Sequence, residues 1–311
     1  MKRVFPSYYS SFKCLAGACK NSCCIGWEID IDEKTLLRYK SVEGNFGKRL
    51  KDNIDFTSPT PCFKLDASER CPFLNEAGLC DIILTLGEDS ICNICTDHPR
   101  FRNFFSARTE MGLGLCCEAC ADIILSNKEK VRLIEEEDFE TPCEATEYEQ
   151  IFLDFRNELF KILQDRSRTV NERVEAFLSA CGSTLPEKSI GEWIGIFASL
   201  EQLNPAWGEL LQRLNRAELS DSNFSFGEDI NTAFEQLLVY LTYRHMWNAY
   251  ENDRIPACAA FVALSYTFLR SLASLKENCS MEYLTEICRI YSCEIEYSED
   301  NMSALYDLLE C

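Results

Sequence analysis

An α+β fold, mostly α, is what this 311-residue sequence predicts: a small irregular cysteine-rich metal-cluster module followed by an acidic all-helical domain. Three observations carry that expectation. Twelve of the nineteen cysteines fall within the first 120 residues. The charge divides at the same place, with 15 Lys and Arg against 16 Asp and Glu up to residue 120 and 16 against 35 beyond it, so the second part carries nearly all of the net −20. Long amphipathic stripes occur only in the second part, whereas the first has short elements of the kind that a metal centre can crosslink. The boundaries read as 1–125 for the module, 126–140 for an acidic junction and 141–311 for the helices.

In the first part, Trp27, Ile29 and Ile31 alternate with Glu28, Asp30 and Asp32, which predicts a strand. Asp32 then opens one or two helical turns over Glu33 to Lys40. Residues 45–60 are polar and give no firm signal. Phe63 and Leu65 mark a second strand, and Phe104 to Leu115 a hairpin or extended arm, with Gly112 and Gly114 at a turn. The run Glu135, Glu136, Glu137, Asp138 reads as a solvated connector. Beyond it, Thr141, Pro142 and Glu144 form a helix start, continued on one face by Tyr148, Ile151, Phe152, Phe155, Leu159, Ile162 and Leu163. Asn204 before Pro205 opens another helix. Ile230 to Tyr250, Pro256 to Lys276, Ser280 to Tyr291 and Asp300 to Glu310 complete the set.

Composition excludes several classes of function. A net charge of −20 argues against a nucleic-acid binder with a basic footprint, and an acidic protein prefers a basic partner. No run approaches the roughly 18 uninterrupted apolar residues of a membrane span, so no membrane association is expected. The start MKRVFPSYYS lacks the apolar stretch of a secretory signal. An odd cysteine count without such a signal points to a reducing, cytoplasmic compartment, where thiols stay reduced or bind metal.

The thiols are grouped. Cys14, Cys19, Cys23 and Cys24 lie within eleven positions. Cys62, Cys71, Cys80, Cys92-x2-Cys95 and Cys116-Cys117-x2-Cys120 follow, with His98, Pro99 and Arg100 between the last two groups. Cys92-x2-Cys95 and Cys117-x2-Cys120 approximate the paired knuckles of a structural zinc site, while a four-thiolate iron–sulfur cluster suits the total equally well. There is no C-x3-C-x2-C run, which argues against a standard radical S-adenosylmethionine enzyme.

The order of these motifs resembles the flagellin lysine N-methylase (FliB) family, which is related in turn to a wider group of cysteine-rich zinc- or iron-chelating proteins. The resemblance rests on the opening cysteines followed by Gly26-Trp27, on CPFLNEAGLC from Cys71 to Cys80, on LGED from Leu86, on Cys95 with Pro99 and Arg100, and on Leu115-x-Cys117. It implies a 4Fe-4S cluster, S-adenosylmethionine as methyl donor and lysine side chains of flagellin as acceptors. It also implies Cys14, Cys19, Cys23, Cys24, Cys71, Cys80, Cys95 and Cys117 as metal ligands, more than one cluster requires. Cys62, Cys92, Cys116 and Cys120 are additional to the pattern, and His98 stands where the family has tyrosine.

Methyl transfer needs a neutral lysine amine, because the ammonium has no lone pair, and no residue announces itself as the base. The nucleotide-binding methyltransferase fingerprint is absent. Arg100 and Arg102 could pair with the carboxylate of S-adenosylmethionine, although ordinary salt bridges are the simpler use of both. His245 reads as a packed, hydrogen-bonded histidine. Tyr240, Tyr243, Trp247 and Tyr250 have the spacing of core aromatics, with a lysine channel as the sharper reading. The alternative to an enzyme is a noncatalytic zinc- or iron-binding module whose acidic helices bind a protein partner.

Overall fold

Lys2–Pro6 (β1) begins a sheet that the chain leaves at once and rejoins a hundred residues later. The computed structural model describes residues 2–137, 144–217 and 225–310. Two compact units result: Lys13–Arg100 forms one, and Met1–Phe12 with Phe101–Cys311 forms the other. Residues 101–125, which the sequence groups with the cysteine-rich module, therefore belong with the helices. The fold is α+β and mostly α, as the sequence predicts.

The Lys13–Arg100 unit contains short elements: α1 (Glu33–Ser41), α2 (Gly44–Asp52), a two-residue pairing of β2 (Ile54–Asp55) with β3 (Cys62–Phe63), α3 (Asp81–Leu86) and α4 (Asn93–Asp97). Asp32 caps α1, its carboxylate accepting from the Thr35 amide at 3.0 Å. Residues 27–32 form no regular strand: Ile29 and Ile31 are buried and Glu28 and Asp30 exposed, but a single bridge from Asp30 to Cys62 is all the pairing they make. Alternating burial is thus correct, and a ladder is not. Helix α2 was hidden in a polar stretch because it buries little beyond Gly47 and Leu50. Gly47 is required there, since a Cβ would stand 2.0 Å from the Val42 carbonyl oxygen.

In the other unit, β4 (Arg100–Phe104) and β5 (Arg108–Leu113) form a hairpin that begins earlier than the hairpin or arm expected over Phe104 to Leu115, in a sheet ordered β4-β5-β1-β6. Gly112 lies within β5 rather than at a turn, because its bare backbone accepts the Phe101 ring, which a Cβ would meet at 2.1 Å. After α5 (Glu118–Leu125), the stretch expected to be a solvated junction forms β6 (Leu133–Glu137). It pairs antiparallel with β1, setting Glu137, Glu136 and Glu135 opposite Lys2, Arg3 and Val4. Lys2–Glu135 at 2.8 Å and Arg3–Glu136 at 3.4 Å explain why the acidic run takes an edge strand.

Among the described residues, eight helices follow: α6 (Glu147–Leu163), α7 (Val170–Ala180), α8 (Ile190–Ser199), α9 (Pro205–Arg216), α10 (Glu228–Asn252), α11 (Ile255–Ala273), α12 (Met281–Tyr291) and α13 (Glu299–Leu309). Thr146 caps α6, so the helix starts later than the Thr141–Pro142 signal, and those two residues lie outside the described ones. The capping boxes Thr169/Glu172 and Ser189/Glu192 start α7 and α8. Helix α11 is long and apolar enough to cross a bilayer by length and composition, and most of it is buried inside this unit. Between α12 and α13, Ser292–Glu296 forms a π-helical turn.

Candidate functional site

Short helices position the thiols of Lys13–Arg100. Cys92 is the residue before α4 and Cys95 the third residue in it, so one turn brings the two sulfurs into hydrogen-bond contact. Cys80 occupies the same place before α3. The Cys71 amide donates to the Cys24 carbonyl at 2.9 Å, tying the opening loop to the CPFL segment. Cys71 and Cys92 are buried within a small apolar core with Tyr39, Phe63 and Phe73, against which Cys24, Cys80 and Cys95 pack. The Phe63 and Phe73 rings pack at 4.9 Å, tilted by 57°, and the Tyr39 hydroxyl donates to the Ser90 carbonyl at 2.8 Å while lying 3.7 Å from Cys92 Sγ.

These five thiols feel one another. The Cys23 thiol, hydrogen-bonded to Cys24, draws the latter's pKa down to about 7. A hydrogen bond from Cys95 lowers Cys92, and the same bond raises Cys95. Burial pushes Cys71 up to about 12, with added repulsion from Cys24, Cys80 and Cys92, and burial also raises Cys80. Several gathered thiols thus resist simultaneous ionisation without a cation among them. Among the described residues, no three Cys, His, Asp or Glu side chains stand together at metal-binding spacing. The donors share a neighbourhood without closing on one point.

The remaining expected ligands are not part of this small core. Cys14 and Cys23 are exposed and Cys19 is half-buried, its thiol directed to the Asn21 carbonyl at 3.3 Å. Cys117 belongs to the other unit, before α5, where Cys120 hydrogen-bonds it and lowers its pKa to about 6. The two C-x2-C pairs that suggested one zinc knuckle are therefore in different units. Cys62 is buried beside Ser58. His98 packs edge-on to Trp27 at 5.7 Å, and burial, with help from Arg100, lowers its pKa to about 4. Arg100 donates to the Thr96 carbonyl at 3.1 Å, and Arg102 is exposed on β4. The described cysteines form no disulfide.

The aromatic residues of α10 have structural work. The Tyr243 hydroxyl donates to the Val4 carbonyl at 3.0 Å and to Met111 at 3.2 Å, Trp247 Nε1 donates to the Phe104 carbonyl at 3.0 Å, and Tyr250 stacks on Tyr148 at 5.4 Å. Packing and hydrogen bonding account for Tyr243 and Tyr250, while Trp247 is half-buried. His245 is buried, as expected, but its partner Glu296, at 2.7 Å on the π-helical turn, had no signal in the sequence.

The chain is similar to a flagellar biosynthetic protein and to lysine-N-methylases. It is 29% identical over 140 residues to flagellar biosynthetic protein FliU of Salmonella muenchen, a match covering 43% of this chain and 83% of that protein. It is 27% identical over 136 residues to the lysine-N-methylases of Salmonella typhimurium strain LT2 and Salmonella choleraesuis, covering 42% of this chain and 34% of theirs. The match thus spans about a third of the length of those lysine-N-methylases. No family model and no solved structure matches. The order of the cysteine motifs and these similarities agree: over about two fifths of its length the chain is similar to flagellar biosynthetic protein FliU and to lysine-N-methylases.

Proposed function

We propose that this chain is an iron–sulfur protein lysine N-methyltransferase that uses S-adenosylmethionine and acts on flagellin. One observation carries the reading: Cys24, Cys71, Cys80, Cys92 and Cys95 gather about a single small core in a chain whose relatives include lysine-N-methylases. The donor set fits a thiophilic cluster in kind and in number, since four thiolates suffice and five are present. Cys92, outside the family pattern, joins four thiols that belong to it. A bound 4Fe-4S cluster would supply electron-transfer or Lewis-acid capacity and would crosslink a unit of short elements. The chain's own contribution is burial of Cys71 and Cys92, with the Tyr39 hydroxyl 3.7 Å from the Cys92 sulfur. The acidic charge of the second part favours approach of a lysine-bearing protein.

Anaerobically purified protein is expected to be brown, to contain iron and sulfide, and to add methyl groups to flagellin lysines, read by mass spectrometry. Cys71→Ser and Cys92→Ser are each expected to lose most of the iron. Cys279→Ser, in the helical unit, is expected to keep it. A colourless preparation holding one tight zinc per chain, or equal iron loss in all three variants, would overturn this reading.

A further inference from the structure

A cavity of about 440 Å³ opens in the Phe101–Cys311 unit, lined by the C-terminal half of α10, Arg254 ahead of α11, Glu296 and the first turns of α13. Its size is that of a small-ligand site. We propose that this cavity seats a primary alkylamine, the side chain of an acceptor lysine, and that His245 is the base that takes the amine's proton. The identification of the amine as lysine rests on the methylase reading above; the cavity and its base rest on the geometry that follows.

Glu296 is fully buried and its carboxylate is committed. It accepts from the Tyr240 hydroxyl at 3.0 and 3.1 Å, pairs with the Arg244 guanidinium at 3.5 Å, and lies 2.7 Å from His245 Nε2. An ionised carboxylate can only accept, so Nε2 carries the hydrogen and donates it. The lone pair of the imidazole is left on Nδ1, and His245 lines the cavity. This is the carboxylate–imidazole arrangement that orients a general base. Burying a carboxylate, an imidazole and a guanidinium together is costly to assemble for packing alone. The carboxylate stands at the end of a π-helical turn, a distortion found often at functional sites.

The remaining lining suits an amine that enters charged and reacts neutral. Glu299 is exposed on α13 and attracts an ammonium. Arg244 and Arg254 also line the cavity, and their positive charge disfavours an ammonium inside, as cationic neighbours do for activated lysines. Phe101 and Trp247 offer apolar surface to the methylene stem. The lysine N–H bond breaks and its proton passes to Nδ1, leaving the electron pair on nitrogen. That pair then forms the N–CH3 bond as the S–CH3 bond of a methyl sulfonium donor breaks, giving a methylammonium and a neutral thioether, and the imidazolium releases its proton to solvent.

The chain has two histidines, so the test is direct. The full-length protein labelled with 15N-histidine, with His98→Gln to assign signals, is titrated with Nα-acetyl-lysine methylamide at pH 8.5. His245 is expected to be neutral with hydrogen on Nε2 before addition, and its nitrogen signals, not those of His98, are expected to move on addition. Hydrogen on Nδ1, or signals that stay still to tens of millimolar probe, would overturn the proposal. In methylation assays, His245→Gln is expected to lower kcat by about 10²–10⁴-fold near pH 7.5 with little change in KM, the deficit shrinking toward pH 10 as lysine loses its own proton. The titratable and charged groups around the imidazole are Arg244 on its own helix, Glu296 on the π turn, Arg254, and Glu299 and Tyr306 on α13. A His245→Gln enzyme as active as the parent across that range would also overturn it. A protein that binds the probe as expected and transfers no methyl group would sink the methylase reading and leave the amine site standing.

Discussion

Glu110→Ala is expected to destabilise the protein by about 3–5 kcal/mol, the usual consequence of leaving a buried charge unpaired. Glu110 on β5 is fully buried, and so is Arg156 on α6, which grips it through two bonds at 2.7 and 2.5 Å. Arg108 adds a third bond to the same carboxylate. The Arg156 guanidinium lies 5.4–5.8 Å from the rings of Phe105, Phe160 and Tyr243, so it has no water to turn to once its partner is gone. Unfolding in urea measures the loss directly, and a fall in Tm of roughly 10 °C is expected alongside. The double change Glu110→Leu with Arg156→Met is expected to recover much of it, because it removes the orphaned guanidinium as well. A loss below about 1 kcal/mol in the single variant would mean that the pair is solvated in solution.

The second large effect is acid lability centred on Glu296. Burial alone would raise its pKa, but the Arg244 guanidinium and the His245 hydrogen bond outweigh it, and the carboxyl is held at about 2, below the ordinary 4.5. A depressed folded-state pKa contributes stability above the unfolded value that is lost as pH falls through the folded one. Here that window runs from about 4.5 down to 2, and the amount at stake is about 3 kcal/mol. His245 acts in the same direction, since burial lowers its pKa below 6.5 and the unfolded chain takes that proton first. Urea midpoints at pH 7, 5 and 3 are expected to fall, with a shallower fall below pH 5 in Glu296→Gln, which has no carboxyl to protonate. An identical slope in that variant would assign the lability to other carboxylates.

Much of this was legible because helices announce themselves locally. Asp32, Asn204 and Ser280 each cap the helix their position predicts, and the apolar stripe of α6 needs no partner to be recognised. The misses share a cause, which is that their signal lies in a distant segment. Glu135 to Glu137 look like a connector until Lys2 and Arg3 are set beside them. Gly112 looks like a turn until the Phe101 ring is placed against it. The gathered thiols follow the same rule: C-x2-C spacing shows that Cys92 meets Cys95, but only folding brings Cys24 and Cys71 to the same core. Glu296 was invisible because a π-helical turn has no sequence signature and its partner His245 is 51 residues away.

The interrupted sheet sets a timetable for synthesis. β1 emerges first, yet its neighbours β5 and β6 begin at Arg108 and Leu133. At ordinary rates of about 5–20 residues per second, the first strand waits roughly 5–25 s for partners. During that wait all of Lys13–Arg100 leaves the ribosome, bringing Cys24, Cys71, Cys80, Cys92 and Cys95 out together before α6 to α13 are made. The nascent chain thus presents these five thiols before it can close its sheet.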